Sequence, residues 1–218
     1  MIGMWQSRMP ILRIYCAGRE LVNIYMELME LLKTRRTYRK FDETRKIPDD
    51  AVEDIVRAQQ YASCGNNRQP LRYIVVSDEK LVNEIFEITK WAASLPDDQG
   101  RPKEGERPTM FVAVLEDNSL INAVTGTDVG LAISNMTLAA WSHGIGSCII
   151  FNVNKDKLSA ILDIDEGYTA ACVVAFGYPV HKSIIKEAGR DESLSYYINE
   201  DGDYVVPKRR IEDTVIFR

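Results

Sequence analysis

The sequence predicts an α+β fold, a sandwich of helices around one mixed, mainly antiparallel sheet. Segments of helical and strand periodicity alternate along the chain, but the connections between them are too irregular for a regular doubly wound architecture. The stretches 110–115 and 170–176 are short apolar runs of the kind that strands covered on both faces display. A chain of 218 residues, 45% hydrophobic and 27% charged, can bury a full core without disulfides or metal.

This composition excludes collagenous and disordered classes. No apolar run approaches the roughly 18 residues that a membrane-spanning helix requires. With 27 Lys+Arg against 32 Asp+Glu the net charge is −5, which argues against attraction of nucleic acid to the whole surface and leaves room for a local basic site. The four cysteines include no C-x-x-C pair, and His143 and His181 are the two histidines, so no zinc-ligand spacing is present and a reduced, cytoplasmic chain is expected.

Taken in order, residues 1–25 carry Arg8, Arg13 and Arg19 and Pro10, which interrupt any signal-peptide core. They are expected to be an N-terminal extension, either a flexible arm or a stretch upstream of a start at Met26. From Met26 a helix is expected, with Leu28, Leu31 and Leu32 near one face. Pro48-Asp49-Asp50 marks the entry of a second helix ending near Ala62. The polar turn 63–70 leads into a strand at 73–76, and 79–91 reads as helical. Residues 95–109 hold Pro96, Pro102 and Pro108 with Gly100 and Gly105, the pattern of a lid or binding loop. A strand at 110–115 precedes a core helix over 127–141, apolar on most sides. After the turn 143–147 come a strand at 148–151, a short helix capped by Asn154 and reaching Leu162, and the strand 170–176 closed by Gly177-Tyr178-Pro179. The tail holds 203–206 and the basic run Lys208-Arg209-Arg210.

Four groups of residues could carry chemistry. In Arg35-Arg36-Thr37-Tyr38-Arg39, an extended backbone would turn Arg35, Thr37 and Arg39 to one side, where two guanidinium groups flanking a hydroxyl suit a phosphate. Cations at a helix C-terminus also simply offset its dipole. Asn67 and Gln69 offer amides that donate and accept together, matching a heteroaromatic edge, although such residues also make ordinary turns. Gly144-Ile145-Gly146-Ser147 and Gly177-Tyr178-Pro179 would let backbone approach a planar ligand, or serve only as turns. Lys208-Arg209-Arg210 is a second phosphate clamp or a solvated tail. No triad, HExxH motif or paired-carboxylate pattern is present.

In order along the chain, RRTYRKF at 35–41, NRQP at 67–70, TDVGLAISNMTLAAWSHGIGSC at 127–148, FGYP at 176–179 and VPKRRIEDTV at 206–215 resemble the nitroreductase family of FMN flavoproteins. The resemblance spans nearly all of 26–218, the FMN-binding domain. It implies an intertwined homodimer with FMN at each subunit interface, Arg35, Arg36, Thr37 and Arg39 at the phosphate and ribityl chain, and Lys208 and Arg210 completing the phosphate site. Ser63, Cys64, Gly65 and Asn67 would come from the partner subunit, with Gln69 beside them, and Ile149 and Ile150 would pass along the ring. Two departures bear on substrate choice: Ser63-Cys64 stands where the family has Pro-Ser, and Leu71 where it has an aromatic.

The implied activity is NAD(P)H-dependent reduction of small electron-poor acceptors, nitroaromatics or quinones, in a ping-pong cycle, with NADH or NADPH as donor and no catalytic side chain. Reductive dehalogenation, ene reduction, flavin breakdown and a flavin-binding redox sensor are the alternatives. A basic-patch RNA binder is disfavoured by the acidic balance, and neither membrane nor metal is expected.

Overall fold

Apolar residues at strand spacing and at helix spacing assemble here into one sheet covered on both faces. The computed structural model describes residues 15–16, 19–20, 24–92, 95 and 97–218. The chain divides into two compact units, Met1–Thr34 and Arg35–Arg218. In the first, strands β1 (Tyr15–Cys16) and β2 (Arg19–Glu20) pair antiparallel, and helix α1 spans Ile24–Thr34. The arm expected over 1–25 lies largely outside the described residues.

The second unit begins with α2 (Asp49–Ala58), entered through extended Pro48 and continued by a 3₁₀ turn, Gln59–Tyr61. Strand β3 (Leu71–Val76) and helix α3 (Glu79–Glu87) follow, the helix capped by Asp78, whose carboxylate accepts from the Leu81 amide at 3.0 Å. Helix α3 stops short of the expected residue 91. The Thr89 hydroxyl donates to the Phe86 carbonyl at 2.7 Å and accepts from Trp91 Nε1 at 3.0 Å, which turns the chain so that the Trp91 ring is buried.

The proline-rich stretch after it is pinned rather than free. It contains a short helix, α4 (Asp97–Gly100), and Arg101 donates to the carbonyls of Thr89 and Phe86 and to the Glu87 carboxylate. The amides of Phe41 and Glu43 donate to the carbonyls of Glu106 and Gly105.

Strands β4 (Met110–Asp117), β5 (Gly146–Ile150) and β6 (Tyr168–Gly177) join β3 in the order β3-β4-β6-β5, every pair antiparallel. Helices α5 (Thr125–Ser142) and α6 (Lys155–Leu162) connect them. Alternation sorts β4 cleanly. Phe111, Ala113 and Leu115 enter the core beneath α3 and α6, while Met110, Val112 and Val114 enter the core under α2 and α5 with Ile55, Ile133 and Met136. Helix α5 is not buried all round: Leu131 is 41% exposed, so the helix is less enclosed than its apolar sequence suggests.

The parallel pairing belongs to a separate sheet. There β7 (Ser183–Ala188) runs parallel to β9 (Tyr204–Arg209), and β8 (Tyr197–Ile198) pairs antiparallel with β9. Ile184, Ile185, Lys186 and Glu187 are all exposed, so β7 shows no alternation that would mark it in the sequence. Among the described residues no helix is long and apolar enough to cross a membrane.

Candidate functional site

Residues 35–42 leave α1 and run extended beside the main sheet. Thr37 bridges Ser147 of β5 in parallel, Phe41 bridges Pro179, and the Tyr38 amide donates to the Ser147 carbonyl at 2.9 Å. This backbone buries Tyr38 and Phe41 and turns the polar residues outward. Two glycines permit the close approach: a Cβ at Gly146 would lie 2.9 Å from Tyr38 side-chain atoms, and one at Gly177 would lie 2.8 Å from Phe41 Cβ.

The outward residues meet β9 across a cavity of about 270 Å³ lined by Arg35, Arg36, Thr37, Arg39, Tyr196, Val206 and Lys208. The two basic segments, some 170 positions apart in sequence, therefore share one concave site. Arg36 lines it as well, although strict alternation would have sent that side chain away. Among the described residues no acidic side chain lines the cavity, and none of their salt bridges uses Arg35, Arg39 or Lys208.

Buried Nε atoms of Arg35 and Arg39 have no hydrogen-bond partner among the described residues. Burial lowers the Arg35 pKa; the Arg36 pKa is lowered by burial and then by repulsion from Arg35. Arg35 and Arg39, partly withdrawn from water and in no salt bridge among the described residues, are poised for an anion. The guanidinium of Arg39 also sits over the Tyr196 ring, 4.6 Å from its centroid. Tyr196 carried no sequence motif of its own; the chain alone gave no sign that it would reach Arg39.

Arg210 is not part of this lining. It is exposed and begins the 3₁₀ turn Ile211–Asp213, while its neighbour Arg209 caps the carbonyls of Gly189 and Glu192. On β5 the Ile149 side chain is 39% exposed and points outward, while that of Ile150 is 4% exposed and packs in the core beneath α3 and α6, so Ile150 can meet a ligand only through its backbone.

The 63–70 turn forms a second site, with Ser63, Cys64, Asn67 and Gln69 lining a cavity of about 520 Å³ shared with Tyr73 and Asp128. No residue of this turn lines the cationic cavity of its own chain. Gly65 contributes backbone: its amide donates to Asp128 Oδ1 at 2.8 Å. Asn66, Asn67 and Gln69 adopt φ of 51°, 52° and 50°, a left-handed run costly for Gln in particular. The turn is held by the Gln69 amide donating to Cys64 Sγ at 3.2 Å and Gln69 Nε2 donating to Asn67 Oδ1 at 3.2 Å. Asp128 opens α5 and was read in the sequence only as part of an apolar helix.

A cationic cavity on the edge of this sheet, with a strained amide-bearing turn at its other end, is the setting in which the comparisons with known proteins become informative. The nitroreductase family model matches residues 32–178. The chain belongs to the nitroreductase family. A protein of Archaeoglobus fulgidus provisionally named NADH dehydrogenase/NAD(P)H nitroreductase is 28% identical over 169 residues, 74% of this chain and 91% of its own. The FMN reductase [NAD(P)H] of Bacillus subtilis is 24% identical, covering 80% of this chain and 76% of its own. Among solved structures, the FMN-dependent nitroreductase of Clostridium difficile R20291 superposes with a TM-score of 0.61 at 19% identity, over 87% of this chain and 98% of that one, which establishes the fold. This member of the nitroreductase family is an oxidoreductase; of the relatives above, the Bacillus subtilis protein is named for both FMN and NAD(P)H and the Clostridium difficile protein for FMN.

Proposed function

We propose that the chain is an FMN-dependent oxidoreductase that uses NADH or NADPH to reduce small electron-poor acceptors such as nitroaromatics or quinones. The observation that carries this reading is the cavity in which Arg35, Arg39 and Lys208 converge, with no acidic residue among the described residues that line it. A phosphate monoester bears about one to two negative charges near neutral pH and offers three acceptor oxygens, which matches the donor set and the Nε atoms of Arg35 and Arg39, partnerless among the described residues. Arg35, Arg39 and Lys208 hold the phosphate, and the Thr37 hydroxyl adds a neutral bond.

When bound, FMN supplies hydride exchange between NAD(P)H and the acceptor, and the protein supplies binding and orientation. Exposed Ile149 on the outer face of β5 offers an apolar surface to the ring. Amides of Asn67 and Gln69 donate and accept toward a heteroaromatic edge, from the partner subunit in a homodimer. The homodimer reading is supported by apolar surface left open in one chain: Val124 just before α5, Leu131 on it, and Ile211, Ile216 and Phe217 in the tail, the last 89% exposed. A cytoplasmic setting is part of the same reading.

Anaerobic mixing with each nicotinamide followed by an acceptor panel tests the activity. Flavin absorbance near its usual bands should bleach with NADH or NADPH and return with acceptor, and initial-rate plots should give the parallel lines of a ping-pong cycle. Intersecting lines under anaerobic control, or a colourless protein that binds no FMN, would refute it.

A further inference from the structure

His181 lies in the connection between β6 and β7, and its two ring nitrogens have fixed roles. Nδ1 lies 2.8 Å from the Lys182 carbonyl oxygen, which can only accept, so Nδ1 carries the proton. Nε2 lies 3.1 Å from the Arg39 backbone amide, which can only donate, so Nε2 accepts. The ring is therefore neutral, in a single tautomer. It is seated between Tyr38 and Tyr204, at centroid distances of 5.4 and 4.5 Å, and Tyr204 in turn lies 5.3 Å from the Arg39 guanidinium. Arg39 thus reaches the cationic cavity with its backbone held by one face of this cluster and its side chain by Tyr196 and Tyr204.

We propose that neutral His181 is a positioning residue of the phosphate cavity, fixing the Arg39 backbone through Nε2, so that protonation of this one imidazole loosens FMN. The proposal rests on the reading of the cavity as the FMN phosphate site.

Protonated, Nε2 becomes a donor facing the donor of Arg39, and the two cannot share the 3.1 Å contact. Either the ring or the 35–42 strand must move. The groups that face the ring oppose the charge on balance: burial lowers the His181 pKa, the bond to Lys182 favours the charged form, Lys40 and Arg39 disfavour it, and Asp203 favours it. Tyr38 and Tyr204, both with pKa values raised by burial, remain neutral there. Attraction between an imidazolium and the phosphate would act the other way. His181 does not line the cavity, whereas it contacts the Arg39 amide directly, so the lost contact governs the sign.

The experiment compares FMN and riboflavin affinity from pH 7.5 to 5.0 in the wild type, His181→Gln, His181→Phe and Arg35→Ala. Gln can still accept from the Arg39 amide but cannot titrate. Both proteins meet the same ionisation of FMN itself, so the ratio of their affinities isolates His181. Wild type should lose about tenfold more FMN affinity than His181→Gln across this range, while Phe should bind FMN weakly at every pH and riboflavin nearly normally. Superimposable pH profiles for wild type and Gln would overturn the role of His181. Arg35→Ala separates the two readings: if FMN affinity ignores that substitution, the phosphate site lies elsewhere and the proposal falls with it.

A second measurement needs no variant of His181. With two histidines in the chain, ring ¹⁵N shifts are assigned by His143→Gln alone. His181 should show a protonated Nδ1 and a bare Nε2, and saturating FMN should shift its titration to lower pH. A bare Nδ1, or a shift to higher pH, would overturn the proposal.

Discussion

The Gly65 amide donates to Oδ1 of Asp128 at 2.8 Å, tying the strained 63–70 turn to the first turn of the central helix. The second oxygen, Oδ2, is buried and has no partner among the described residues, and Asp128 as a whole is 4% exposed. One oxygen thus does the holding while the other is desolvated.

Asp128→Ala should leave the partly buried Gly65 amide without its acceptor and cost about 1 kcal/mol, the typical worth of a hydrogen bond. Asp128→Asn keeps an oxygen for that amide and removes the buried charge, so it should melt within a few degrees of wild type. Thermal melts of the two variants check the order. If Asn proved the less stable, the charge itself, and not the Gly65 bond, would be what the fold requires.

The close seating of 35–42 on the sheet gives a second prediction. Gly146→Ala places a methyl 2.9 Å from Tyr38 side-chain atoms that cannot swing away, because Tyr38 stacks on Trp141 with ring centroids 5.0 Å apart. Overpacking of this kind costs about 1–3 kcal/mol. The urea midpoint should fall accordingly, and riboflavin as well as FMN affinity should drop, since the strand that carries Arg35 and Arg39 is displaced. Gly144→Ala, where a Cβ meets nothing within 4 Å, controls for the glycine change, but its φ of +71° adds backbone strain of its own; Gly130→Ala, within α5 and equally open, is the cleaner comparison.

The layers of the fold were legible because β4, β6 and α5 are dense in apolar residues at clear periods, as in Met110–Asp117, where six consecutive residues are buried. Strand β7 was not, because Ile184 and Ile185 are adjacent and both about 40% exposed, which no period-two reading marks. In the site, Arg35, Thr37 and Arg39 were recoverable from extended alternation. Tyr196, Asp128 and His181 were not, since each acts through a partner remote in sequence: Arg39 at 157 positions from Tyr196, Gly65 at 63 from Asp128, Arg39 at 142 from His181. Arg210 follows Lys208 by two positions and looked equivalent to it, yet β9 ends at Arg209 and the chain turns away.

The cationic cavity predicts coupling between its two segments. Arg35→Ala and Lys208→Ala should each weaken FMN binding by about 1.5–3 kcal/mol, the range for a charged hydrogen bond. Both line one cavity, so on the proposed reading they share a phosphate and the double variant should depart from the sum by about 0.5 kcal/mol or more. Riboflavin, lacking the phosphate, should respond far less to either change. Equal losses for FMN and riboflavin, or strict additivity, would argue that the segments do not share a ligand.

The buried thiols make an alkaline prediction. Burial pushes Cys148 up to about 11, offset in part by Arg39, and Cys172 up to about 12, with Lys155 lowering and Glu116 raising it further. Both lie above the ordinary thiol value of 9.0. Above that value the unfolded chain releases these protons while the native state retains them, so native stability declines. Their contribution is fully present below pH 9 and is lost as the pH rises toward 11 and 12. Each thiol adds a slope of at most about 1.4 kcal/mol per pH unit. The urea midpoint should be level in this respect from pH 7 to 8.5 and fall beyond pH 9, with a shallower fall in Cys172→Ala after allowance for the lost packing at neutral pH. Thiol labelling offers an independent check in a Cys16→Ser background at pH 8. Partly exposed Cys64 should react in the native protein, and Cys148 and Cys172 only after unfolding. Rapid native labelling of all three would show that the two strand cysteines are not sealed in the core, and the alkaline argument would then fail at its first step.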